Sequence, residues 1–170
     1  PASRAHYRTR LELSGRDSAE VLAAVDKWVT ALDAKDPAVE HHLLEALWVT
    51  RQHNFVSDQL LRRVLQSTEP RARTAAVSVL CYSRHRIKDV LSLLRAAVND
   101  SYPRVRLEAV RALSFIQNAE SAEIALQVLQ HPTDKFIDYC LNETLRSSEP
   151  AWRAAIAAGT AEHLLAGGAL

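Results

Sequence analysis

The sequence predicts an all-α chain, an α-solenoid superhelix of about four helix pairs with capping helices at its ends. The first observation is a repeat: Pro37, Pro70 and Pro103 lie 33 residues apart. An apolar stripe travels with them, through Val39, Ala72 and Val105, then Leu43, Ala76 and Ala109, then Leu47, Leu80 and Leu113. A fourth copy follows at a step of 32, as Ile137, Leu141 and Leu145. Four-residue steps within each copy put the stripe on one helical face. The second observation is a partner helix before each copy, in which Trp28, Leu61, Leu94 and Leu126 keep the same spacing. Self-similarity at this period, carried by helix pairs, marks stacked helical repeats. Composition agrees, because four Gly and six Pro leave little material for hairpins and no region alternates with period two.

At 170 residues and 48% apolar content the chain is long enough to bury a core as one domain spanning residues 1–170. Its repeats are expected at about 18–50, 57–83, 87–117 and 121–146, with caps at 1–15 and 150–170. Residues 1–13 are basic and only weakly periodic, and are expected to dock Tyr7 and Leu11 as a cap. After the turn 14–18, Asp17 or Ser18 offers an N-cap. The helix it starts carries Val21, Leu22, Val25, Trp28, Val29 and Leu32 on its apolar face. His41 to Thr50 completes the first pair.

Ser57 and Asp58 restart the pattern, and Arg71 to Ser83 forms the second helix of the second pair. Ile87 to Val98 and Arg104 to Gln117 form the third pair. Pro103 suits the first turn of its helix, where a missing N–H costs nothing. Ser121 to Gln130 and Lys135 to Arg146 form the fourth. Trp152 and Ile156 extend a helical pattern to Gly159, either a cap or the opening of a fifth repeat. The glycine-bearing tail that follows is expected to fray.

No apolar run is long enough to cross a bilayer, and the N-terminus shows no signal-peptide pattern. A chain that opens on Pro1 is expected to be a mature product or an excised segment. The net charge of +1 conceals an asymmetry, since Arg62 to Arg111 holds eleven Lys or Arg against four Asp or Glu, a local net of +7. This middle either presents a basic patch to an anionic partner or covers helix surfaces with arginine stems paired to neighbouring carboxylates.

The phrase Asp100-Ser-Tyr-Pro-Arg-Val-Arg, a turn acid and Pro followed by Val-Arg and an apolar stripe, resembles HEAT repeats of the phycobilisome-lyase-like type. Asp100, Pro103, Val105 and Arg106 match best and Arg73 matches in the second copy. Glu40 and Asp138 stand at the equivalent places in the first and fourth, so the family's Asp–Arg ladder is broken here. The phrases L-E-L-S-G-R-D-S, E-H-H-L-L-E-A-L-W-V and H-P-T-D-K-F-I-D-Y are similar to the HEAT regions of large bacterial secreted proteins of the membrane-bound dehydrogenase or haem-binding kind. In that family a propeller precedes the helical repeats and a c-type cytochrome module follows them. The resemblance implies a periplasmic or otherwise extracytoplasmic spacer or docking module; without it, a cytoplasmic location is expected. It carries over no catalytic residue, since the haem attachment pattern C-x-x-C-H is absent.

The residues offer little catalytic chemistry of their own. There is no Gly-rich phosphate loop, no G-x-S-x-G and no framed carboxylate pair, so neither an enzyme nor a cofactor is expected. Cys81 and Cys140 follow no metal spacing and are expected as free, semi-buried thiols, because helices two repeats apart rarely bring Cα atoms within bridging range. His41, His42, Glu45 and His53 are the densest group of candidate metal ligands. His41 and Glu45 share a helical face, but no third ligand stands at a nearby spacing, and no metal is expected. The alternative function is nucleic-acid binding or base excision by a HEAT-like DNA glycosylase, using Arg71, Arg73, Arg104 and Arg106 with Trp48, Tyr139 or Asp138. Its aromatics are few and dispersed, and no motif of that family is present.

The preferred reading is a non-enzymatic, monomeric scaffold that binds a protein partner or spaces neighbouring domains. With 39, 43 and 47 facing the core, 41, 45 and 48 point away, since two residues turn a helix by about 200°. The repeat steps then give His41, Glu45 and Trp48; Thr74, Ser78 and Cys81; Leu107, Arg111 and Ser114; Tyr139, Glu143 and Arg146. Second helices of such repeats are expected to line the concave side of a right-handed curved array. Either Trp48, Leu107 and Tyr139 are apolar anchors on that surface, or terminal segments fold over them.

Overall fold

A computed structural model describes residues 2–160, with side chains from residue 5 onward; Pro1 and the tail expected to fray, from residue 161, lie outside the described residues. The architecture is all-α and of the α-solenoid class, and the described residues contain no strand. The helices are α1 (Ala2–Ser14), α2 (Ser18–Thr30), α3 (Val39–Gln52), α4 (Asp58–Leu65), α5 (Pro70–Ser83), α6 (Val90–Val98), α7 (Pro103–Leu113), α8 (Ala119–Leu126), α9 (Lys135–Ser147) and α10 (Glu149–Ala157), with a 3-10 turn at Gln127–Gln130. They form two compact units, residues 1–76 and 77–170, whose boundary falls inside α5.

In the first unit, α3 packs against α1, α2 and α4. The Asp17 side chain caps α2 by accepting from the Glu20 N–H at 3.0 Å, and Ser57 caps α4 by accepting from Leu60 N–H at 3.2 Å. The core runs through Val21, Val25, Leu43, Leu47, Leu61 and Val64, all buried. Two expectations are corrected here. Trp28 is 40% exposed rather than part of the buried face of α2, and its ring stands 5.7 Å from that of His42. The N-terminal segment is a full helix, but Tyr7 and Leu11 point to solvent. It meets α3 through His6 and Arg10, one residue away in helical phase, which stand beside Glu45.

In the second unit the repeat geometry is explicit. Helix α6 packs on α7 and α8 on α9 as pairs, while α6 also meets α8 and α7 meets α9, like on like across one repeat. Asp100 folds its carboxylate over the turn to accept from Tyr102 N–H at 2.8 Å, and Pro103 enters α7 at its first turn. Asn118 and Ser121 form a capping box on α8. Helix α6 starts at Val90 rather than Ile87, because Asp89 adopts a left-handed φ of 57° that a helix cannot contain. Helix α7 ends at Leu113 rather than running to Gln117, which has φ 55°. The buried Thr144 hydroxyl donates to Val110 O at 3.1 Å and ties α9 to α7. Trp152 of α10 is buried against Ala122 with its indole N–H on Leu145 O at 2.9 Å, closing the end of α8 and α9.

The travelling stripe is the core, with Leu145 alone of its described members only partly buried. Leu47, Leu80 and Leu113 are each fully buried, as are Ala76 and Ala109. Leu113→Ala should therefore cost about 2–5 kcal/mol, because it leaves a cavity where α7 meets its neighbours. Denaturant midpoints read this, against a far-UV spectrum dominated by helix; a variant as stable as its parent would contradict the repeat register.

Candidate functional site

The predicted surface residues divide between the two units. In the first, α3 presents His41, Glu45 and Trp48 toward α1. Glu45 is half-buried: His6 Nδ1 approaches its Oε1 at 3.8 Å and the Arg10 guanidinium its Oε2 at 3.6 Å. The His6 and His41 rings lie 5.2 Å apart, and the Arg51 guanidinium covers Trp48 at 5.4 Å. Helix α1 thus lies beside this row, with His41 still exposed and Trp48 half-buried. Thr74 is half-buried, and its hydroxyl donates to Pro70 O at 2.8 Å in the manner of a helical side chain bonding back.

A second feature of this unit is a cavity of about 510 Å³ bounded by Leu22, Val25, Leu43, Phe55, Leu60 and Arg63. No His or Cys lines it, and its charged members are Asp26 and Arg63.

In the second unit Arg111 is the centre. Its Nε donates to Glu108 Oε2 at 2.9 Å, and Arg104 reaches the other oxygen of that carboxylate at 3.6 Å. The guanidinium also stands 5.7 Å from the Tyr82 ring centroid and 6.0 Å from that of Phe115, with Arg84 over Phe115 at 5.3 Å. Partial burial works against the Arg111 charge, but the hydrogen bond and charge of Glu108 outweigh it and push its pKa above the ordinary value. Leu107, one turn before Arg111, and Ser78 are half-buried; Ser114 is half-buried with its hydroxyl on Arg111 O. Tyr139 is 69% exposed, and Glu143 pairs with Arg146 at 3.2 Å.

Two corrections follow. Cys81, placed by repeat spacing on this surface, is only 1% exposed, and the next residue, Tyr82, emerges instead at 55%. Likewise Phe115, 49% exposed, stands out beside Ser114. Periodicity missed both aromatics by one residue, although their 33-residue separation was a readable signal. Tyr82 sits in the last turn of its helix and Phe115 just past the end of its own.

Both cysteines are free. Burial pushes the Cys81 thiol up in pKa despite the lowering pull of Arg111 and Arg84, and burial raises Cys140 despite a hydrogen bond with Thr144. The thiolate is the reactive form, and a raised pKa delays its formation as pH rises. Alkylation of the native protein near pH 8 should therefore be slower than for free cysteine, and unfolding should release two titratable thiols. A denatured, non-reduced sample with none would show a bridge.

The arginines of the basic middle are largely engaged within the chain. Arg73 donates to Ser67 O at 2.8 Å, and the buried Arg106 to Asp100 O and Pro132 O at 2.9 and 2.7 Å. Arg62, Arg63, Arg95 and Arg104 pair with Asp58, Glu40, Glu120 and Glu108. No helix among the described residues is long and apolar enough to cross a membrane. The family model for HEAT repeats matches residues 57–146. Neither a curated protein nor a solved structure matches the chain.

Proposed function

The chain belongs to the HEAT-repeat family, and we propose that it is a non-enzymatic scaffold that docks a protein partner on the aromatic–arginine surface of its second unit. Repeats of this family commonly serve as protein-interaction scaffolds, which supports the general role. The observation that carries the specific surface is Arg111 beside two exposed rings, Tyr82 and Phe115, on a unit that also exposes Tyr139. Aromatic and arginine side chains are the groups enriched in protein interfaces, since they bring large contact area at low entropic cost together with directional donors. Glu108 holds Arg111 in place, so that little ordering remains to be done on binding.

The row His41, Glu45 and Trp48 is a weaker docking surface in this reading, because α1 and Arg51 already occupy it. Ser78, Leu107 and Glu143 contribute shape around the aromatic anchors. The similarity to HEAT regions of secreted redox proteins supports placing the module as an extracytoplasmic spacer between neighbouring domains of a longer chain, acting as a monomer. Nucleic-acid binding is disfavoured because carboxylates and turn carbonyls take up the guanidiniums that phosphates would need.

Capture of partners from native extract by wild type, Tyr82→Ala, Tyr139→Ala and Trp48→Ala tests the surface. A hot-spot aromatic carries about 2 kcal/mol or more, about 30-fold in affinity, so the two tyrosine variants should lose the partner while Trp48→Ala loses less. Duplex DNA should bind weakly and release at about 0.15 M salt, as when a few phosphate contacts supply all the affinity. Equal recovery by all four proteins, or tight salt-resistant DNA binding, would overturn the proposal.

A further inference from the structure

We propose that His6, His41 and Glu45 form a binding site for a divalent transition-metal ion of the zinc class, fastening α1 to α3. This goes beyond the scaffold reading and does not depend on it. The α3 pair His41 and Glu45 lie one turn apart, and α1 supplies the third donor that the spacing along α3 lacks. One ligand atom from each of the three lies within 4.8 Å of the others. A tetrahedral ion with bonds of about 2.0–2.1 Å needs its donors about 3.3 Å apart. The His6–Glu45 separation of 3.8 Å is already close to that. The remaining closure is a small rotation of two imidazoles, of which His41 is exposed and His6 half-buried, so no packed core has to move.

The donor chemistry selects the ion. Two imidazoles and a carboxylate suit zinc and its transition-metal neighbours, whereas magnesium and calcium prefer shells built of oxygen. Three protein donors leave a fourth position for water or a group from outside. The surroundings also orient the carboxylate. Arg10 lies 3.6 Å from Oε2 and His6 3.8 Å from Oε1, so the arginine can hold one oxygen while the other turns to the ion, as outer partners of metal ligands do. His6 and Arg10 are one turn apart on α1, as His41 and Glu45 are on α3, so all four side chains converge on one seam. An Arg10–Glu45 ion pair alone would account for the carboxylate but not for two imidazoles beside it. His41 makes ring contacts there and no hydrogen bond among the described residues.

Titration of the full chain with Zn²⁺, with Co²⁺ absorption as a spectroscopic probe, tests the site. Wild type should bind one ion whose cobalt spectrum shows nitrogen and oxygen donors, and Zn²⁺ should raise its Tm, because an ion that binds only the folded seam stabilises it. His6→Ala, His41→Ala and Glu45→Gln should each weaken binding at least about tenfold, since losing even an outer-shell partner costs about 10–100-fold. His85→Ala should bind as the parent does, and Mg²⁺ should not shift Tm. Should His6→Ala lose helicity, His6→Gln decides in its place. No binding by wild type, full affinity without His6, equal loss in His85→Ala, or an equal response to Mg²⁺ would each overturn the site.

Discussion

Arg106 is 3% exposed, and a charge so deeply buried is tolerated only where hydrogen bonds replace its water. Those bonds define the second unit. Two run back to Asp100 O and Ser101 O, carbonyls of the turn that introduces its own helix. A third runs forward to Pro132 O, in the turn that introduces the following second helix. One side chain thus closes two successive turns, and the distance between them becomes fixed by the span of a single guanidinium. Removing it would leave three turn carbonyls to find other donors; replacing it with a short polar group would satisfy one of them at most.

Arg73 repeats the backward part of this arrangement 33 residues earlier. It donates to Ser67 O and, at 3.5 Å, to Thr68 O, the same two positions relative to its helix that Arg106 uses. At the first copy the charge is reversed, and Glu40 draws in Arg63 of α4 instead. The repeat contact is therefore made by different chemistry in different copies. This is how a degenerate repeat keeps its packing: the apolar stripe recurs in every copy, and the polar position beside it is partnered differently each time.

The same economy separates the two surfaces. In the second unit Glu108 accepts from Arg111 and lies near Arg104, with the Tyr82 and Phe115 rings exposed beside them. In the first, Glu45 faces a helix that brings two more titratable groups, His6 and Arg10, across the seam. One acidic side chain in each unit organises basic and aromatic neighbours, with exposed rings around an arginine in one and a set of metal-ligand types in the other.

The sequence by itself determined the class of fold, the helix pairs and the core, because burial of a four-residue stripe at a 33-residue period is a local and strongly repeated constraint. Val105, Ala109 and Leu113 could be read as core directly. Helix ends were less legible, since left-handed residues such as Asp89 and Gln117 carry no strong signal of their own when they are not glycine. Only the tertiary structure brought the separated side chains together. His6 is 35 residues from His41 in a segment with weak periodicity, so no spacing rule links them; the docking of α1 does. Tyr82 stands at the surface in place of Cys81 because the buried arc of α5 takes in Val79, Leu80 and Cys81, wider than the four-residue stripe alone. Periodicity reports which face is buried against neighbours of the same kind, whereas a site is made where unlike segments meet, and that meeting is written in packing rather than in spacing.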